Sequence, residues 1–232
     1  MRQLFLYVLI ATISASCIGQ DRYAYKTGDP NGIGKWYMGR QIAWVMGHQG
    51  ISWLERSERE QEENTSLLLQ NLALKAGEVV ADIGAGSGYH VVRMSPMVGP
   101  AGTVVAVDVQ PEMISYLRNR LKKEKITNVD LVLGSDSSCK LPPGTVNKLL
   151  LVDVYHEFEY PREMASSMLR SLKPGGLLYL VEFRAEDPDV PIKEVHKMSE
   201  KQAVRELEAA GFRFVKNIAN LPWQHCLVFE RP

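Results

Sequence analysis

The chain has 232 residues, with 27 Lys and Arg against 27 Asp and Glu, 45% hydrophobic residues and three cysteines. That length accommodates one domain with a sizeable core. A formal net charge of zero leaves no basic excess to hold a phosphate backbone, which argues against a nucleic-acid partner.

The first residues read as a targeting segment. Arg2 supplies a positive start, residues 4–13 are apolar, and small residues follow from Ser14 to Gly19. An apolar stretch of about ten residues is too short to span a bilayer but suits a secretory signal peptide. Residues 1–19 are therefore expected to be a leader, cleaved after Ser16 or Gly19, and the protein to be exported, with periplasmic placement. Lipidation of Cys17 would instead anchor it to a membrane, and an uncleaved apolar arm would leave it cytoplasmic. Without the leader, Cys139 and Cys226 remain; both are expected on strands far apart in the sheet, as free thiols.

Residues 20–71 are expected to form a helical cap. The turn-rich stretch 27–34 has no strand before it, so a plain loop is expected rather than a phosphate loop. Residues 36–48 have helical character, with Met38, Ile42 and Val45 or Met46 as an apolar stripe. Arg40, Trp44 and His48 would share a second face, turned either toward a substrate cleft or toward solvent. Ser57-Glu58-Arg59-Glu60 fits a capping box and would start a helix over 61–74, with Leu67, Leu68 and Leu72 inward.

From residue 72 to 232 strands and helices alternate. A short apolar strand ends in Asp82 and breaks into Gly84-Ala85-Gly86-Ser87-Gly88 before a helix at 89–94. A second strand, 103–108, ends in Asp108. Pro111 opens a helix to 125; its basic run 118–123 reads as a solvated face. Strands follow at 129–134 and 146–154, the latter carrying Leu149-Leu150-Leu151-Val152, as a strand buried on both faces requires. A helix over 161–172 closes at Lys173-Pro174-Gly175-Gly176, before a strand at 177–183. Ser199 caps a helix ending at Gly211. The last strands, 212–218 and 223–229, are separated by a short link and should be antiparallel neighbours. Such alternation implies a mostly parallel sheet covered on both faces.

The glycine spacing discriminates between nucleotide ligands. A dinucleotide fingerprint counted from Gly84 would need its third glycine at Tyr89. That mismatch, with no hydride-transfer constellation, opposes an NAD-linked oxidoreductase. The turn is G-x-G-x-G instead, and with Asp108 beyond it the arrangement resembles motif I and the following acid of the class I S-adenosylmethionine (SAM)-dependent methyltransferases. The resemblance runs from about Leu72 to the C-terminus. The phrase 172–176 is similar to the type 11 and ubiquinone-biosynthesis-like members, and residues 36–63 resemble an exported subgroup of unknown substrate. It implies an α/β, Rossmann-like, seven-stranded mixed sheet in the order 3-2-1-4-5-7-6, the last strand antiparallel.

The resemblance also implies SAM as cofactor and a set of contacts. Asp82, Gly84, Gly86 and Gly88 would form the turn under its methionine half. Asp108 would take the ribose, Val109 or Gln110 would flank the adenine, and Asp136 would accept from its amino group, or Ser135 or Ser137 in its place with the register shifted by one. Asp153 would sit near the SAM amino group and the methyl. Tyr155 can offer a ring face to a sulfonium methyl. His156 is either a general base or a structural hydrogen-bonding group, and Glu157 either orients it or starts a helix. His90 is expected in the first turn of a helix near the cofactor, while His196 and His225 carry no pattern. No metal-ligand spacing is present. The neutral charge and the Trp- and Met-bearing cap point to a small-molecule acceptor; a binding protein of the same fold without turnover is the alternative.

Overall fold

The computed structural model describes residues 23–232, so the expected leader and Cys17 lie outside the described residues. The chain opens with a small antiparallel sheet of β1 (Tyr23–Tyr25), β2 (Gly32–Tyr37) and β3 (Arg40–Ala43). This corrects the helix expected over 36–48. Tyr37 pairs with Arg40 across Met38 and Gly39, whose φ angles are +46° and +96°. Two central residues with positive φ make the hairpin turn that matches strand twist, and Gly39 takes that conformation freely. The small sheet is pinned to later elements. The Lys35 ammonium lies 3.4 Å from the Tyr160 ring centroid and 4.3 Å from that of Tyr23.

Three short helices follow: α1 (Ile51–Leu54), α2 (Arg59–Glu63) and α3 (Thr65–Asn71). The single helix expected over 61–74 is thus divided. Asn64 turns left-handed at φ +50°, and its side chain accepts from Leu67 N at 3.2 Å, capping α3. The Glu60 carboxylate reaches forward to the Thr65 hydroxyl and to Ser66 N rather than back into a capping box. Leu68 and Leu72 are buried as expected.

The remaining elements are β4 (Val79–Ile83), α4 (Val91–Val98), β5 (Thr103–Asp108), α5 (Pro111–Glu124), β6 (Val129–Leu133), β7 (Val146–Val152), α6 (Pro161–Ser171), β8 (Leu172–Phe183), α7 (Glu200–Ala209), β9 (Arg213–Asn217) and β10 (Gln224–Glu230). They form one seven-stranded sheet in the order β6-β5-β4-β7-β8-β10-β9. In strand numbering along the sheet's own chain order this is the expected 3-2-1-4-5-7-6. Strands β6 through β8 pair in parallel, and β10 is antiparallel to both neighbours. Ser199 caps α7 by accepting from Gln202 N.

Side-chain alternation along β7 explains the apolar run. Leu149 and Leu151 join Met164, Met168 and Leu207 on the α6–α7 face, and Leu150 joins Val80, Met94 and Leu117 on the α4–α5 face. Both faces are covered, so both residue parities must be apolar. Cys139 and Cys226 are free and buried; Cys139 lies in the loop after β6, not on a strand as expected. Among the described residues no helix is long and apolar enough to cross a membrane.

Candidate functional site

A cavity of about 280 Å³ lies at the C-terminal ends of β4, β5, β6 and β7. Open α/β sheets bind ligands at that edge, where the strand order reverses. Here β4 is flanked by β5 on one side and β7 on the other, which is such a reversal.

The glycine turn forms one wall. Gly84, Gly86 and Gly88 have φ of +78°, +53° and +78°. The amides of Gly84 and Ala85 both donate to Val107 O, at 2.8 and 2.9 Å, which ties the turn to the end of β5. A Cβ on Gly84 would fall 2.4 Å from Val154 Cγ2, a residue of the opposite wall. A side chain there is therefore both strained and crowded, so the turn leaves its backbone open to a ligand. Gly84→Ala is expected to lower the melting temperature by more than Gly77→Ala. Gly77 is also left-handed, at φ +85°, but a Cβ there meets nothing within 4 Å. The two share a conformational cost of about 1–2 kcal/mol, so equal melting temperatures would show that the close approach to Val154 carries no cost.

Asp108 closes the floor. Its Oδ2 accepts from Gly86 N at 2.8 Å and its Oδ1 from Gln110 N at 2.9 Å. Burial raises its pKa, against the lowering effect of these amides. Val109, Gln110, Ser135 and Asp136 line the same side. Ser137 does not, and neither do Asp82, buried on β4, and Gly88, the last glycine of the turn. Burial pushes Asp82 up to about 7; Arg59 opposes this and Asp108 adds to it.

Asp153 follows β7 in a left-handed conformation, φ +49°, and faces the cavity. Its Oδ2 accepts from Gln224 Nε2 at 2.6 Å, while Oδ1 is buried without a partner. Burial, reinforced by Glu63 and Glu182, raises this carboxyl well above the usual range.

Residues 155–157 form a single 3-10 turn. With three residues per turn, positions 154 and 157 point the same way. Val154 and Glu157 accordingly line the cavity, and Tyr155 and His156 do not. This corrects the assignment of Tyr155 and the general-base reading of His156, and leaves His156 its reading as a structural hydrogen-bonding group. Tyr155 is fully buried in the core, its ring edge-on to Phe158 and 5.4 Å from the Arg40 guanidinium. His156 is buried with Nδ1 2.5 Å from Glu182 Oε2 and Nε2 3.1 Å from His196 Nδ1. Burial works against its charged form, but the Glu182 carboxylate outweighs it and raises the pKa. Glu157, expected to orient His156 or start a helix, instead joins Asp108, Asp136 and Asp153 among the carboxylates that line the cavity. Burial pushes it up to about 7.

The N-terminal segment covers the opening. Met46 N donates to Glu157 Oε1 at 3.2 Å, and Met46 O accepts from Gln110 Nε2 at 2.9 Å. Val45, Met46 and Leu54 line the cavity and carry its apolar rim. The shared helical face expected for Arg40, Trp44 and His48 does not exist. Arg40 lies on β3 and pairs with Glu206, Trp44 is 59% exposed, and His48 starts a separate 3-10 turn. None of the three lines the cavity. His90 is buried beside Tyr89 and His225 bonds Glu186 and Asn217, both away from it.

A family profile described as a methyltransferase domain matches residues 74–223. The chain is 32% identical over 111 residues to the ubiquinone/menaquinone biosynthesis C-methyltransferase of Pseudomonas putida, covering 47% of this chain and 43% of that one. It is 28% identical over 113 residues to the protein-L-isoaspartate O-methyltransferase of Ignicoccus hospitalis, covering 49% and 51%. The chain thus spans about half the length of these relatives. A crystal structure of a SAM-dependent methyltransferase from Aquifex aeolicus superposes with a TM-score of 0.76 at 26% identity, over 81% of this chain and all of that one.

Proposed function

The chain belongs to the class I SAM-dependent methyltransferases, with SAM as its cofactor, and from that premise we propose that it methylates a small-molecule acceptor by in-line displacement. The observation that carries the reading is the Asp108 carboxylate, held by Gly86 N and Gln110 N on the floor of a cavity walled by left-handed glycines. Bound there, the cofactor supplies a methyl group on a positive sulfur that is already a good leaving group.

The chain's own part is to hold and align. Asp108 takes the ribose hydroxyls. Gly84 and Gly86 let the methionine half lie against the backbone, with Asp82 on the strand before the turn and Gly88 closing it. Val109 and Gln110 flank the adenine, and Asp136 with Ser135 reads its edge. Asp153 faces the amino group. The acceptor enters beside Met46, Leu54, Val154 and Glu157, a mostly apolar wall that excludes water. Correct placement of two reactants supplies several kcal/mol without any acid or base. The roof of residues 45–46, tied to Glu157 and Gln110, suits an acceptor of modest size better than a folded macromolecule.

Methyl-labelled SAM and a low-mass metabolite extract, incubated with the protein, test this. Label is expected in a small organic product separable from protein and nucleic acid. Label recovered only in macromolecules would overturn the acceptor class. Tight SAM binding with no label transferred to any fraction would leave a binding protein.

A further inference from the structure

Forty residues separate His156 from His196, yet their ring nitrogens meet. His156 Nε2 and His196 Nδ1 are 3.1 Å apart, and each lies 3.9 Å from Glu157 Oε1. Two imidazoles and one carboxylate thus present donor atoms within 4.8 Å of one another. Donors bound about 2.0–2.2 Å from one tetrahedral ion would lie about 3.3–3.6 Å apart, within about 0.6 Å of these spacings.

Support behind the donors points the same way. Glu182, 1% exposed at its side chain, holds His156 Nδ1 at 2.5 Å. With Nδ1 donating to Glu182, Nε2 is the ring nitrogen that faces His196 and Glu157. A carboxylate behind a histidine is the usual means of fixing a ligating tautomer. The main-chain amides of Tyr155 and His156 also donate to Glu182 Oε1, so the orienting carboxylate is itself held.

Charge is consistent with a cation. Of the nearby cations, Arg40 is paired with Glu206, and Lys193 is exposed with its Nζ turned to Asn31 Oδ1 at 2.7 Å. Two buried carboxylates, Glu157 and Glu182, remain around the imidazole pair.

We infer that His156, Glu157 and His196 form a binding site for a first-row divalent transition metal, with Glu182 as the positioning residue for His156. Imidazole donors suit ions such as zinc, copper, iron or nickel better than magnesium or calcium. Three protein donors leave at least one position of a four-coordinate ion for water or for a ligating atom of another molecule. Of the three residues only Glu157 lines the cavity, so the ion lies at the cavity's wall on the side assigned to the acceptor. Metal binding itself does not depend on the methyl-transfer reading.

The test uses the untagged full chain, stripped with a chelator and desalted. It is titrated with Zn²⁺ by calorimetry and with Co²⁺ by visible absorption, with Mg²⁺ as a comparison. One equivalent of Zn²⁺ and of Co²⁺ is expected to bind, without a sulfur-to-cobalt charge-transfer band, and Mg²⁺ is expected to bind far more weakly. His196→Ala, at a half-buried position, should weaken Zn²⁺ binding by at least about tenfold while melting as the stripped wild type does. Glu182→Gln should weaken it by about 10–100-fold. Absence of stoichiometric binding, equal affinity in His196→Ala, or a thiolate band implicating cysteine would each overturn the site.

Discussion

Asp108→Ala is expected to reduce SAM affinity by about two to four orders of magnitude, measured by titration calorimetry on protein whose circular dichroism matches wild type. A hydrogen bond to a charged group contributes about 1.5–3 kcal/mol, and two ribose hydroxyls would donate to this carboxylate. Each 1.4 kcal/mol is about tenfold in affinity. The same substitution also frees Gly86 N and Gln110 N, now held at 2.8 and 2.9 Å, so the glycine turn loses its tie to the adenine side. Asp108→Asn separates the two effects. An amide keeps one acceptor oxygen for the backbone but loses the charge and one acceptor, so its loss should fall between wild type and Ala. Binding by Asp108→Ala within about tenfold of wild type would remove Asp108 from the cofactor site and leave the glycine turn without its expected partner.

The cofactor half of this site was legible in the sequence because it depends on backbone geometry and strand ends. Gly84 and Gly86 are needed where φ is positive, and Asp108 stands where β5 ends, so residue type and position coincide. The sheet was legible for a related reason. A strand buried on both faces must be apolar at successive positions, and Leu149 to Leu151 are. The N-terminal part was not legible because its burial pattern is chemically disguised. Lys35 is buried, but against the rings of Tyr23 and Tyr160, so a charged residue occupies an inward strand position. Met38, Ile42 and Val45 meanwhile fall at helical spacing by coincidence. The one local sign of the hairpin was Gly39, whose φ of +96° completes the turn.

The acceptor half was hidden for another reason. Whether 155, 156 or 157 faces the cavity depends on a 3-10 turn that residue types alone do not announce. His196 reaches His156 only because the loop after β8 returns over the strand ends, with Glu182 of β8 beneath. The tertiary path, not local spacing, makes that cluster.

Arg40→Ala is expected to be the most destabilising single substitution among these, costing about 3–5 kcal/mol. The Arg40 guanidinium makes two bonds to Glu206, at 2.7 and 3.1 Å, and a third to His156 O at 3.1 Å. The Glu206 side chain has 0% exposure, so removing its partner leaves an uncompensated buried charge. For a chain of this length each kcal/mol moves the melting temperature by about 2–4 °C, which makes the loss easy to see. Removing both partners should cost less than the sum of the single changes, because the stranded carboxylate is then absent. The exposed Arg118→Ala provides the comparison for losing a surface charge. Because Arg40 also holds the turn that presents Glu157, Arg40→Ala should loosen the acceptor wall while leaving the Asp108 side intact. If Arg40→Ala melts as Arg118→Ala does, the small N-terminal sheet is not anchored through Glu206, and its ties through Lys35 to Tyr160 and Tyr23 to Glu163 carry it instead.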